Sequence, residues 1–200
     1  MLKMFYLILK NPMDNSNNLQ KIKDLLWKEV FEIWRTDEEN VEHWKDFWAA
    51  RRFKSWREWR EKTHVNLRGP ELKWALYGVL NPLEEVPNWR GGMFHGWAKW
   101  FYPVFPEQPP CLRDLLAHPG VHNNWLIREL AHNFPKETSI MAIRDKNGDI
   151  FVAEGMHRCC ALAMAAYDNI PVQTDLEVSL ADWPFGDLPR LGNGWEKENS

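Results

Sequence analysis

Four consecutive residues, Gly155-Met156-His157-Arg158, combine a permissive backbone position with two side chains able to carry positive charge. They follow the apolar run Phe151-Val152-Ala153 and precede the alanine-rich stretch Cys159 to Tyr167. That order predicts a strand that breaks at Gly155 and turns at once into a helix. The first turn of a helix points unpaired backbone N–H groups outward, and its dipole adds partial positive charge. Phosphate binds at such places for those reasons, and arginine adds a planar fork that suits its oxygens. Helix starts favour acidic residues, so two potential cations there cost stability unless an anion is near. That anion is either a bound phosphate or Glu154, in a local Arg–Glu pair that caps the turn; the spacing leaves both open.

The elements that must hold this turn are legible around it. Ser139 to Asp145 reads as β, Asn147-Gly148 is the strongest short hairpin signal, and Ile150 to Ala153 returns as a strand. Asn169-Ile170-Pro171 ends the helix, and Val172, Thr174, Leu176 and Val178 then alternate with polar residues as a half-buried strand. Leu126, Ile127, Leu130 and Phe134 mark a short helix stopped by Pro135. Nearer the start, Leu26, Trp27, Val30, Phe31 and Trp34 predict a helix over 19–35. Thr36-Asp37-Glu38-Glu39 has capping-box form and predicts a second helix with Val41, Trp44 and Trp48 on one face. Ser55-Trp56-Arg57-Glu58 repeats the signature for a third, and Gly69-Pro70 before Leu72, Leu76, Val79 and Leu80 predicts a fourth. Between Asn81 and Pro110 prolines and glycines break every pattern while aromatics continue, which fits a packed loop able to wall a ligand site.

With 200 residues and a net charge of −3 the chain has no global basic field of the kind that drives non-specific nucleic-acid binding. Three cysteines make no disulfide framework and indicate a reducing, cytoplasmic setting. The apolar start, Met1 to Lys10, is too short to span a bilayer and reads as a strand or buried tail; Met13 is a second candidate start. Thirteen tryptophans, most of them before residue 126, predict a helical layer packed with indoles, each with one N–H that wants a partner. The expected organisation is a Trp-rich helical region over 1–118, a core over 119–182 that carries the phosphate-binding turn, and a loose tail over 183–200.

Three other constellations carry weaker chemistry. Arg51, Arg52, Lys54, Arg57, Arg60 and Lys62 interleave with Phe53, Trp56 and Trp59, a pattern that can grip single-stranded nucleic acid if one exposed face collects the charges away from Glu58 and Glu61. His118 and His122 have zinc-like spacing, but Pro119 and Gly120 argue against the helix such a pair needs. Cys159, near a helix start, would be a reactive thiol only if exposed. P-loop, G-x-G-x-x-G and G-x-S-x-G motifs do not occur.

The run Phe151-Val152-Ala153-Glu154-Gly155-Met156-His157-Arg158-Cys159-Cys160-Ala161-Leu162-Ala163 resembles the G-x-H-R-x-x-A signature of the ParB/sulfiredoxin-like superfamily. The flanks fit as well, and the resemblance covers roughly 124–180. It implies an α+β fold: a small mixed sheet with a phosphate-binding helix, wrapped here by the Trp-rich helices. In that superfamily the turn holds nucleotide phosphates: ParB-type domains use CTP, sulfiredoxins use ATP, and an archaeal relative phosphorylates free serine with ADP as donor. By this resemblance Gly155, His157 and Arg158 contact phosphates, with the N–H groups of Met156 and Cys159 assisting. ATP or ADP (with CTP as a further candidate) and Mg²⁺ are the expected cofactors. Glu154, beside the turn, is the candidate carboxylate base toward a small-molecule acceptor, with Glu84 and Glu85 more remote. Departures matter: Met156 stands where sulfiredoxins carry their reactive cysteine, which removes that chemistry. Chromosome-partition ParB proteins usually show a second arginine in place of His157, and an attached helix-turn-helix that this chain does not display. Two classes stay open: a phosphotransferase or nucleotide hydrolase, and a non-enzymatic nucleotide-regulated or nucleic-acid-binding module without a membrane role.

Overall fold

The computed structural model of the chain describes residues 18–103 and 109–193, with the backbone alone for His43. The apolar start with Met13, and the end from Gly194 onward, lie outside the described residues.

Strands β1 (Leu19–Leu25), β2 (Trp74–Val79), β3 (Glu137–Arg144), β4 (Ile150–Glu154) and β5 (Asp175–Asp182) form a five-stranded mixed sheet in the order β1-β2-β5-β3-β4. β3 and β5 are parallel, and the other neighbours are antiparallel. The β3–β4 hairpin forms where Asn147-Gly148 predicts it: Gly148 adopts φ 88°, and the Asp145 carboxylate accepts from the Asn147 and Asp149 N–H groups at 2.9 Å. Side chains alternate across the sheet. Ile140, Ala142, Ile150 and Val152 join the apolar cluster on one face, while Met141, Ile143, Phe151 and Ala153 join the cluster on the other.

One face is covered by α8 (Trp125–His132) and α9 (Met156–Asp168), with the single turn α6 (Leu112–Leu115) beside them. Cys159 to Ala165 are buried on every side of α9, and small side chains let it lie between α8 and the sheet. Asn169 ends α9 in the left-handed conformation, φ 56°. The opposite face carries α1 (Trp27–Glu38), α2 (Glu42–Ala50) and α3 (Trp56–Thr63), which bring Phe31, Trp34 and Trp56 together edge-on with ring centroids 5.2–5.7 Å apart, and set Trp44 against Trp59 in a tilted pair at 5.7 Å. Such pairs add about 0.5–1.5 kcal/mol each beyond the area they bury. Indole N–H groups of Trp56, Trp74, Trp89 and Trp183 find acceptors, whereas those of Trp34 and Trp48 are buried with none among the described residues.

The N-terminal half departs from its expected helices. Residues 19–25 pair as β1 with β2, and helix begins only at Trp27, where the i, i+3, i+4 spacing truly starts. The Thr36 box caps nothing: α1 runs through it, and Thr36 Oγ1 donates to the Glu32 carbonyl at 2.9 Å. Gly69-Pro70 opens a single 3₁₀ turn, after which Trp74 to Leu76, buried side by side, continue as β2 rather than a helix. The third predicted helix is α3, with Ser55 accepting from the Glu58 N–H at 3.1 Å. Inside the irregular stretch lie α4 (Pro82–Glu85) and α5 (His95–Phe101), and α7 (Pro119–His122) is one turn capped by His118 despite its proline and glycine.

The division at residue 118 does not separate the sheet, which takes β1 and β2 from one side and β3 to β5 from the other. Nor do residues 183–193 hang loose. Leu191 is buried and donates to the Met93 carbonyl at 2.8 Å, and Gly192 donates to Thr63 at 2.9 Å. No helix among the described residues is long and apolar enough to cross a membrane.

Candidate functional site

β4 delivers the chain to Gly155, whose φ of 94° lies in the region that residues with a Cβ avoid. A Cβ there would also come within 3.2 Å of Ile140 Cγ1, so both conformation and space favour glycine. The Cys159 N–H closes the first turn of α9 on the Gly155 carbonyl at 2.9 Å. The N–H groups of Met156, His157 and Arg158, the first of the helix, have no i−4 carbonyl to reach.

The residues that carry these groups line a cleft of about 870 Å³. Trp44, Phe47 and Trp59 line one side, Trp97, Trp100 and Phe101 another, and Asp37, Thr138, Glu154 and Arg158 line it as well. Glu154, Gly155, Met156, His157 and Arg158 are thus brought together on one wall. The His157 ring packs edge-on against Trp97 at 5.2 Å, and Met156 Sδ accepts from the Gly92 N–H at 3.4 Å. Cys159 is the exception. It is fully buried, its N–H is committed to the helix, and burial pushes its thiol well above the usual range, so it is an interior residue rather than a phosphate ligand. Glu84 and Glu85 are not part of the cleft wall; Glu85 instead accepts from Trp89 Nε1 at 3.0 Å.

Arg158 is firmly held. Its Nη2 donates to both Glu154 oxygens at 2.8 Å, and its Nη1 donates to Asp37 Oδ2 at 3.0 Å and Thr138 Oγ1 at 2.8 Å. Ser139 Oγ donates to the same Asp37 oxygen at 2.7 Å. The Arg–Glu pair that would brace the turn is therefore present, with a second carboxylate added. A neighbouring buried pair lines the same cleft: Glu38 accepts from Arg60 Nε at 2.8 Å, Arg60 Nη2 at 2.6 Å and Trp56 Nε1 at 3.0 Å.

Electrostatics in this cluster follow burial first. Burial pushes the Glu154 carboxyl up to about 7; Arg158 pulls it down, Glu38 pushes it further up and Arg60 pulls it down. Burial alone would lower the Arg158 guanidinium, but Glu154 and then Asp37 outweigh it and hold it above its usual value. His64, also on the cleft wall, is held well below 6.5 by burial and by the charge of Arg60. Folded protein holds a Glu154 proton that the unfolded chain releases above about 4.5, so this group makes stability fall as pH rises from about 4.5 to about 7. His64 works oppositely: its contribution is present above 6.5 and is lost as pH falls below it. The two slopes offset one another below 6.5. Glu154→Gln should therefore uncover the histidine, giving urea midpoints that rise between pH 5 and 6.5 where the parent protein stays nearly level. A variant as level as the parent would show that Glu154 does not carry the raised value.

No family model, curated protein or solved structure matches the chain. The site therefore stands on its own geometry. Among the described residues no group of three or more His, Cys, Asp or Glu side chains is arranged to hold a metal ion. The basic and aromatic residues of 51–62 do not form one exposed face: Arg60, Trp56 and Trp59 are buried, Arg57 pairs with Glu32 at 2.8 Å, and Lys62 pairs with Glu58 at 2.8 Å. Sequence reasoning missed Asp37, Thr138, Glu38 and the role of Arg60. Asp37 had a local explanation as part of a cap, and nothing in its neighbourhood points to a partner 121 residues away.

Proposed function

We propose that the protein binds a nucleotide in this cleft and transfers or hydrolyses its terminal phosphoryl group. The observation that carries the reading is the start of α9: a 13-residue helix, entered through a left-handed glycine, whose first residues line an aromatic-walled cleft of about 870 Å³. That volume is at the upper end of the range for small-molecule sites. Phosphates would lie on the N–H groups of Met156, His157 and Arg158, with His157 beside them, and the base would stack on a cleft aromatic. The hairpin, turn, helix and following strand are also the order that the ParB/sulfiredoxin-like resemblance implies. A cytoplasmic setting fits the free cysteines 111, 159 and 160.

Phosphoryl transfer asks little covalent chemistry of a protein; it asks for positioned charge and a group that moves one proton. Glu154, with its carboxyl raised to about 7, is suited to exchange a proton near neutral pH. Mg²⁺ would arrive with the phosphates, which supply most of its oxygen ligands, so one or two carboxylates suffice on the protein side. Glu137 on the cleft wall fits that need. Bound there, the ion would neutralise charge building on the transferred group. A small-molecule alcohol or amine is the acceptor class, and water is the acceptor if the reaction is hydrolysis. Binding without turnover is the second reading, favoured by the engagement of both Arg158 terminal nitrogens with carboxylates.

Thermal unfolding with ATP, ADP, CTP and GTP, each with Mg²⁺, tests the reading beside His157→Ala and Arg158→Lys. Stabilisation should saturate by mass action, reaching about 2.7 kcal/mol at a hundredfold excess over Kd, and should weaken in both variants. Release of ADP or phosphate under the same conditions then separates an enzyme from a binding module. A folded protein that responds to no nucleotide would overturn both readings.

A further inference from the structure

The nucleotide reading requires an arginine that can meet phosphate, yet Arg158 meets two carboxylates. These are not equivalent. Glu154 lies at i−4 on the preceding strand end, takes both its bonds from Nη2, and has a side chain only 9% exposed. Asp37 comes from the last turn of α1, takes one bond from Nη1, and has a side chain 27% exposed on the cleft wall. Its Oδ2 collects two donors, Arg158 Nη1 at 3.0 Å and Ser139 Oγ at 2.7 Å, and Thr138 Oγ1 accepts from the same Nη1 at 2.8 Å. An anionic oxygen at the focus of a guanidinium and a hydroxyl, beside the first turn of a helix, is what a phosphate oxygen would be there.

We propose that Asp37 occupies the anion place on Arg158 in the unliganded protein and that a ligand phosphate displaces it. The inference rests on the nucleotide reading. Asp37 is then a built-in competitor that sets the threshold for binding. An anion must offer Arg158 and Ser139 more than the carboxylate already does, and a phosphate that also takes the N–H groups of Met156 and His157 meets that condition. Glu154 stays on Nη2 throughout and keeps the guanidinium in plane. The α1 end is not released as a whole, because Glu38 remains tied to Arg60 and Trp56 on α3. The exchange is a side-chain movement, in which the Asp37 carboxylate turns from Arg158 toward the water of the cleft.

Calorimetric titration of the full chain with inorganic phosphate and with ADP tests this in the parent protein, Asp37→Asn, Asp37→Glu and Ser139→Ala. Asp37→Asn keeps the shape and loses the charge, so both ligands should bind roughly tenfold or more tighter, the size of one charge-assisted hydrogen bond no longer competing. Asp37→Glu keeps a carboxylate and should stay close to the parent. Ser139→Ala weakens the competitor without touching a charge and should tighten binding a few-fold, which serves if the asparagine variant folds poorly. In the parent, saturating phosphate should also move the side-chain ¹⁵N resonances of Arg158. Unchanged or weaker binding in folded Asp37→Asn, while the parent binds ADP, would overturn the competitor and leave the nucleotide site standing. Failure of the parent and every variant to bind either ligand would overturn the site itself, and the inference with it.

Discussion

Arg158→Ala is expected to destabilise the protein by about 3–5 kcal/mol at pH 8, the range for removing one partner of a buried ion pair. The loss is not that of a single contact. Glu154, 7% exposed, would lose the one nitrogen that donates to both of its oxygens, and Asp37 would keep Ser139. The cost should also depend on pH in a specific direction. Arg158 lowers the Glu154 carboxyl, so without it that group rises above about 7 and is neutral over a wider range. Below about pH 6 Glu154 is largely protonated in both proteins, and the penalty shrinks; above 7 it is charged only where Arg158 supports it, and the penalty grows. Urea denaturation of parent and variant at pH 5.5 and pH 8 measures both parts. A penalty under 1 kcal/mol, or one that shrinks as pH rises, would mean that the pair is not what holds the turn.

Glu38→Ala should cost a similar amount, about 3–5 kcal/mol, for a different reason. Arg60 is 8% exposed with its guanidinium 3.6 Å from the Trp59 ring centroid. Burial lowers that guanidinium and Glu38 opposes the fall, yet arginine does not give up its proton at accessible pH. Loss of Glu38 therefore leaves a charge without its bonded counter-charge inside a layer of indoles, and leaves Trp56 Nε1 without its acceptor. Adding Arg60→Met to Glu38→Ala removes the stranded charge and should restore most of the stability, because buried ion pairs replaced whole by apolar side chains cost little. Chemical unfolding of the two single variants and the double variant reads this as a cycle. Additive losses would show that the two residues do not act as a pair.

The second half of the chain was readable because its signals are local. An Asn-Gly turn, a glycine between an apolar strand and an alanine-rich run, and an Asn-Ile-Pro stop each sit within a few residues of what they specify, and all became structure. The first half misled where order depends on distant pairing. Leu19 to Leu25 is a strand only because Trp74 to Val79 lies beside it, and Trp74 to Leu76 is buried on both faces, which erases the alternation that marks a strand. The site divides the same way. Its turn could be read from Gly155 to Arg158, while the carboxylate that shares Arg158 and the arginine that faces Glu38 could not. Those pairs join residues 121 and 22 positions apart, and no periodicity records them.

The two edges of the sheet are finished differently. Beside β4, Arg90 donates to Ile150 at 2.7 Å and accepts from Val152 at 3.1 Å, so that margin is sealed by the chain itself. Beyond β1, no strand pairs among the described residues, and Gln20 to Asp24 are exposed. Lys21, Lys23 and Asp24 stand on that margin, and the register shifts between Lys21 and Lys23, which leaves Ile22 out of step. A bulge and repeated charge make a strand a poor template for another copy. That seven-residue strand, which adds only Leu25 fully to the core, thus serves to discourage edge-to-edge pairing along this margin. Neutralising its lysines would leave the cleft untouched and make the protein prone to stack edge to edge.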